Sequence, residues 1–313
     1  MTAPAGGPPP RLLHIGQRKT ATTWLQKTEE NAAAAGHITF CHWELAKWRQ
    51  RQGPGRLEPT EAALDELAAL LPLDRTRPCL ASLEDLIALD PAALVAAVAR
   101  VWPDVHVLVT TRSPQAYLTS SFNNSSFRSG VPARKFAAIF ARGHMVKAFN
   151  LDAWAAAMGA GRISFLPHEM LVEDAAGWLA RISGLLGCDL APFAPPLPIN
   201  VSPPPEYLLL QRRVVARLAA EAPGILQSED WAHFMRMANF SAGSAVGLAE
   251  YFASYFRAHP LGKGDMPQLD DAALVRLAAG MTVLTGLPDY APHLARYGLA
   301  GKVEPTENQG GPA

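Results

Sequence analysis

Lys19, Thr20, Thr22 and Thr23 stand close behind Gly16 in the stretch LLHIGQRKTATTWL, residues 12–25. Residues of these types in this order bind anions. The run Leu12-Leu13-His14-Ile15 reads as a buried strand. Gly16 breaks it, and a helical pattern starts at Ala21. A strand, a tight turn and a helix N-terminus aim backbone N–H groups and the positive end of a helix dipole into the turn. Lys19 adds a full positive charge, and the threonines add hydroxyl donors. Such a turn holds a phosphate or a sulfate. A capped helix with a solvated lysine is the plainer reading, but strand, glycine, lysine and hydroxyls in sequence favour the anion site. The nucleoside triphosphatase loop G-x-x-x-x-G-K-[ST] does not fit, because Arg18 rather than glycine precedes Lys19.

A second constellation follows a second strand. Val107 to Thr111 is strongly apolar and β-branched, and it delivers Arg112-Ser113-Pro114 to the start of a helix that carries Ser120. Alone, these read as an arginine at a strand end and a serine on a polar helix face. Beside the first turn they read as a second anion contact. A guanidinium stays charged and offers a fork to two phosphate oxygens.

Gly16-Gln17-Arg18-Lys19-Thr20-Ala21-Thr22-Thr23-Trp24-Leu25 resembles the 5′-phosphosulfate-binding loop of sulfotransferases that use 3′-phosphoadenosine 5′-phosphosulfate (PAPS). The family pattern is G-x-x-K-[ST]-G-T-[ST]-x-L. Ala21 stands where glycine is commonest, and Arg18 where proline is frequent. Arg112, Pro114 and Ser120 are similar to the family's second signature, R-x-P-x-x-x-x-x-S, whose Arg and Ser hold the 3′-phosphate. ISFLPHEML, residues 163–171, resembles a later strand and "y-E-d-L" element, and Asn200-Val201-Ser202 resembles a segment of bacterial members. The resemblance spans most of residues 11–205.

It implies a P-loop-like three-layer α/β fold and PAPS as sulfuryl donor, with no metal. The cofactor would be held by Gly16, Arg18, Lys19, Thr20, Ala21, Thr22, Thr23, Trp24, Arg112 and Ser120. Sulfuryl transfer is mostly positioning and charge stabilisation, and Lys19 would neutralise charge growing on the bridging oxygen. A hydroxyl acceptor also needs a base. Glu84 directly follows the strand PCLASL, residues 78–83, and is the preferred base; a first-turn acid facing a helix dipole is its plainer reading. His42 is the alternative, ahead of Glu44, His14 and His168. His14 lies inside a strand and reads as a core residue.

The competing functions are a P-loop kinase-like phosphotransferase and a degenerate nucleotide-binding protein. The first lacks its glycine before Lys19 and a convincing Mg²⁺-binding strand. The second sits poorly with Lys19, Arg112 and Ser120 standing together. The acceptor is a small molecule, lipid or glycan. Trp43, Trp48, Phe122, Phe127, Trp231, Phe234 and Tyr251 are candidates for an apolar pocket or for core.

The organisation needed to position these residues is legible in outline. The chain has 313 residues, 49% of them apolar, and balances 28 basic against 28 acidic side chains. That balance argues against a nucleic-acid coat or a polybasic membrane patch. Cys41, Cys79 and Cys188 fit neither a disulfide framework nor a zinc site and read as buried thiols. No signal peptide and no transmembrane segment are apparent, so a soluble cytoplasmic protein is expected, from a GC-rich bacterial genome by its Ala, Pro and Arg content. Strands at 11–16, 78–83, 104–111 and 162–167, with a short one at 37–41, alternate with helices. This predicts a parallel sheet covered on both faces, with ligands at the carboxyl ends of the strands. Residues 1–10 read as a disordered Pro/Gly tail and 11–300 as a single domain. Within it, about 206–300 reads as a helical cap with helices at 206–221, 245–258 and 270–285. Residues 301–313 read as a flexible tail.

Overall fold

The computed structural model describes residues 8–17, 20, 22–52, 58–129, 133–142, 144–159, 161–196, 220–222, 224 and 267–300. Five strands form one all-parallel sheet in the order β2-β3-β1-β4-β5. They are β1 (Arg11–Gly16), β2 (Thr39–Cys41), β3 (Cys79–Ser82), β4 (His106–Thr111) and β5 (Ile163–Pro167). Leu12, Leu13, Ile15, Leu80, Val107, Leu108 and Val109 are almost completely buried. The near-continuous apolar runs follow from a sheet covered on both faces.

The helices connecting the strands explain that cover. Helix α1 (Thr22–Ala34) carries the chain from β1 to β2 on one side of the sheet order. The chain then returns through α2 (Trp43–Arg51), α3 (Glu61–Ala69) and α4 (Pro91–Ala99), and reaches β5 through α7 (Leu151–Met158). Right-handed crossovers running in opposite directions put their helices on opposite faces. Accordingly α4 packs on α3 and α7, while α9 (Ala175–Leu186) lies with α1 against the turn Ala191–Phe193. The direction of travel reverses at β1, and the carboxyl ends of the strands at such a reversal are where open parallel sheets bind ligands.

Local chemistry sets the helix limits. Asp90 caps α4 by accepting from Ala93 N at 2.8 Å, with Pro91 at the first position. Gly187 ends α9 at φ 62°, the left-handed conformation that suits glycine. The helix expected over 270–285 is shorter: α10 covers Asp271–Ala278. Gly280 then presses on the backbone of Phe149 and Asn150, where a side chain would collide. Its carbonyl accepts from Asp152 N at 3.0 Å. Asp152 also receives Thr282 N, Thr282 Oγ1 and Val283 N, which starts a 3₁₀ turn at Thr282–Gly286.

The chain groups into two compact units. One holds the sheet: residues 1–114, 144–195 and 270–313. The other is 115–143 with 196–269. In it, α5 (Pro114–Ser129, all but its first residue) and α6 (Ala133–Phe140) pack through Tyr117 on Phe140 and Phe122 on Phe136, ring centroids 5.6 and 5.1 Å apart. Trp48 and Phe122 are core residues; Trp43 is exposed. The expected helices 206–221 and 245–258, the segment 200–202, the Phe127 side chain, and Trp231, Phe234 and Tyr251 as pocket residues lie outside what is described, apart from the helical residues 220 and 221. Cys41 and Cys79 are buried, Cys188 half-buried.

Candidate active site

The turn after β1 is built on its neighbour β4. A Cβ at Gly16 would overlap Thr110 Oγ1, so this position has room only for glycine. Gln17 N donates to Thr110 O at 3.0 Å, extending the β1–β4 ladder by one bond. The Gln17 side chain is completely buried. Its Oε1 accepts from Arg112 N at 2.7 Å, and its Nε2 donates to Ala148 O at 3.1 Å. Gln17 thus fastens the two predicted anion turns to each other. The sequence motif treats this position as variable, so nothing in the pattern marked it.

Thr20 is also fully buried, and its hydroxyl donates to Gln17 O at 2.8 Å and meets Thr110 Oγ1 at 3.0 Å. Its share in an anion site therefore falls to the main chain. Arg18, Lys19 and Ala21 lie outside the described residues, as does the Thr22 side chain. Thr23 is exposed on the first turn of α1. Trp24 points into the core, where Nε1 donates to Pro195 O at 2.9 Å and the ring lies 6.2 Å from Trp178.

The turn after β4 is held from below. Glu169, on α8 (His168–Glu173), accepts from Ser113 N at 3.0 Å and from Tyr297 Oη at 2.9 Å. Thr111 Oγ1 lies 2.6 Å from Tyr290 Oη and 3.0 Å from Tyr297 Oη. The Tyr297 proton goes to the carboxylate, so the chain of donors runs Tyr290 to Thr111 to Tyr297 to Glu169. Burial is the largest influence on the Glu169 carboxyl and pushes its pKa up. The bonds from Ser113, from its own N–H and from Tyr297 outweigh burial and leave the pKa below the usual value. Burial pulls Arg112 down, and the Glu169 charge opposes it. His168 is pushed to about 4 by burial and by the Arg112 charge, against Glu169. Glu169 falls in the "y-E-d-L" resemblance, which assigned it no role; Tyr290 and Tyr297 gave no signal.

The candidate bases share the same rim. Glu84 opens a 3₁₀ turn, Glu84–Ala88, that packs on β1 beyond β3, and Leu83 N donates to His14 O at 3.0 Å. Among the described residues, His42 Nδ1 lies 2.8 Å from Ser82 O, a contact that places its proton on Nδ1 and leaves Nε2 as the acceptor. Ser120 lies half-buried on α5, in the second compact unit.

Helix ends sort by charge. In α2, α3, α4, α7, α8, α9 and α10 an acidic residue sits at the N-cap or in the first turn. Neither α1 nor α5, the helices that follow the two anion turns, has an acid in its first turn, and α6 lacks one as well. An acid there would compete with a bound anion for the dipole. The described residues contain no group of His, Cys, Asp and Glu able to hold a metal, and no helix among them is long and apolar enough to cross a membrane. A groove of about 1010 Å³ runs along the edge strand β5, lined by Ile163, Ser164 and Phe165 and by Pro10 at the amino end of β1, away from this site.

No family model and no curated protein sequence matches the chain. Solved structures do align with it, two sulfotransferases among them. A sulfotransferase from Alicyclobacillus acidocaldarius is 16% identical, with a TM-score of 0.43, over 67% of this chain and 94% of the other. Mouse sulfotransferase SULT7A1 complexed with PAP is 16% identical, with a TM-score of 0.37, over 67% of this chain and 64% of the other.

Proposed function

We propose that the chain is a PAPS-dependent sulfotransferase acting on a hydroxyl or amine of a small molecule, lipid or glycan. The observation that carries the reading is the pair of turns after β1 and β4. They lie at the carboxyl ends of adjacent strands, are joined through Gln17, and lead into helices α1 and α5, neither of which has an acid in its first turn. A donor with phosphate groups at both ends of a nucleoside needs two such turns.

The donor supplies the sulfuryl group and a phosphate leaving group. In this reading the main chain of Gly16–Thr23 and the Thr22 and Thr23 hydroxyls hold the 5′ end. Lys19 neutralises the departing oxygen. Arg112 takes the 3′-phosphate, with Ser120 assigned to it by the motif. Sulfur exchanges its bond to the bridging oxygen for one to the acceptor, and the acceptor proton passes to Glu84 or His42. Glu169 and Gln17 orient the Arg112 backbone from beneath.

A thermal shift experiment separates this reading from its rivals. Adenosine 3′,5′-bisphosphate at 100 times its Kd should stabilise the protein by about 2.7 kcal/mol, and ATP with Mg²⁺ should do much less. Stabilisation by ATP–Mg²⁺ alone would point to phosphoryl transfer, and no response to either would leave a degenerate site. Labelled PAPS with candidate acceptors then tests transfer, which should persist in EDTA.

A further inference from the structure

We infer that His14 is a positioning residue for the anion turn after β1, acting through Thr110 on Thr20. The claim deepens the proposed function and rests on it, in taking that turn as the seat of the donor's 5′ end. His14 lies in the middle of the sheet with no exposed surface. Its Nδ1 is 2.9 Å from Ser82 Oγ on β3, and its Nε2 is 3.1 Å from Thr110 Oγ1 on β4. Thr110 Oγ1 in turn is 3.0 Å from Thr20 Oγ1. The line of contacts crosses three neighbouring strands and ends in the turn.

The direction of every bond in that line follows from its last member. The Thr20 hydroxyl has one proton, which it donates to Gln17 O at 2.8 Å. Thr110 is then the donor to Thr20, since Thr20 has only its lone pairs left to offer. With the Thr110 proton committed, its oxygen accepts from His14, so the imidazole carries its proton on Nε2. Nδ1 is left as an acceptor, and Ser82 donates to it. One order results: Ser82 to His14 to Thr110 to Thr20 to Gln17 O. A buried polar group held without exchange with water keeps such an order because each alternative leaves an unsatisfied donor.

Burial, with a smaller effect of the neighbouring His42 charge, pushes His14 down to about 3, so the ring is neutral at ordinary pH and can hold one tautomer. The carbonyl at the end of the line belongs to Gln17, whose side chain grips Arg112 N. His14 therefore helps fix both turns, although it touches neither ligand position.

Two measurements test this. The first needs no ligand. Nitrogen-15 spectra of histidine-labelled protein, assigned by loss of a signal in His14→Phe, should show His14 protonated on Nε2 with Nδ1 accepting. Thr110→Val, which keeps shape and removes the link, should shift the Thr20 and Gln17 amide signals. Thr110→Ser should restore them. A proton on Nδ1, or unmoved amides in Thr110→Val, overturns the inference even if the protein proves a sulfotransferase.

The second uses adenosine 3′,5′-bisphosphate. Thr110→Val should raise its Kd about fivefold, the loss expected for one hydrogen bond, and Thr110→Ser should recover it. His14→Phe should add little in the Thr110→Val background, because the line is already cut. Fully additive effects of the two substitutions in folded protein refute action through Thr110. Absence of nucleotide binding in the wild type removes the proposed function, and the spectra still decide the role of His14.

Discussion

Replacing Glu169 by Gln keeps its shape and removes its charge. The carboxylate accepts from Ser113 N and Tyr297 Oη at 3.0 and 2.9 Å and is 7% exposed. An amide has one oxygen for these two donors. If that oxygen faces the rigid Ser113 N–H, the amide nitrogen faces Tyr297, whose hydroxyl must turn and accept. Tyr297 then donates to Thr111, and Thr111 to Tyr290, which loses its acceptor in a site with no exposure. Weakening two charge-assisted bonds to neutral ones costs about 1 kcal/mol each, and a buried orphan hydroxyl roughly 1–3 kcal/mol. E169Q should therefore lose about 3–5 kcal/mol, read by urea unfolding with linear extrapolation. The pH dependence gives a second handle. The depressed carboxyl stabilises the fold above its ordinary value of 4.5 and ceases to do so as pH falls through its folded value. The gap between wild type and E169Q should thus be full at pH 7.5 and shrink in acid. A loss below about 0.5 kcal/mol at pH 7.5, the size of an ordinary surface substitution, would refute the account of this network.

Four further outcomes are expected. Arg112→Ala should weaken adenosine 3′,5′-bisphosphate by roughly 1.5–3 kcal/mol and adenosine 5′-phosphosulfate much less, by calorimetry; equal losses would take Arg112 off the 3′-phosphate. Glu84→Gln should slow transfer to a hydroxyl acceptor by roughly 10²–10⁴-fold while leaving nucleotide affinity intact; near-normal turnover would pass the role to His42, tested by His42→Ala. Glu29 is buried, neither carboxyl oxygen is bonded among the described residues, and burial, then Glu30, hold its pKa well above normal. The folded state keeps a proton that the unfolded chain sheds, so Glu29 loses stability as pH rises above 4.5; Glu29→Gln should raise stability at pH 8 by about 1–3 kcal/mol and change little at pH 4.5. His14 behaves oppositely to a paired histidine: the unfolded chain gains a proton below 6.5 that the folded ring refuses until about 3. Stability should fall by up to about 1.4 kcal/mol per pH unit across that window, and His14→Phe should flatten the slope.

The order strand, glycine turn, helix was legible in the sequence because it is local. Apolar runs at 12–15 and 107–109 read as buried strands, Asp90-Pro91 as a helix start and Gly187 as a helix end, and the structure has each of them. The parallel sheet followed from alternation of strands and helices alone. The break at Gly280 was not legible, since it comes from the backbone of Phe149 and Asn150 lying against it. The same division runs through the candidate site. Residue types and spacing singled out Gly16, Lys19 and Arg112. They gave no role to Gln17, read His14 as packing, and marked neither Tyr290 nor Tyr297.

The physical reason is range. A turn motif needs a few adjacent residues, whereas His14 gains Ser82 and Thr110 only when β3, β1 and β4 lie side by side in one register. Gln17 meets Arg112 because that register also sets the strand ends level. Tyr297 reaches Glu169 only once its own segment, 128 residues further along the chain, has folded back against the end of β5. The order of residues is enough to say which chemical groups are present and where strands hand over to turns. Strand order and register, which no local pattern encodes, decided which buried groups share a proton and which turn supports the other.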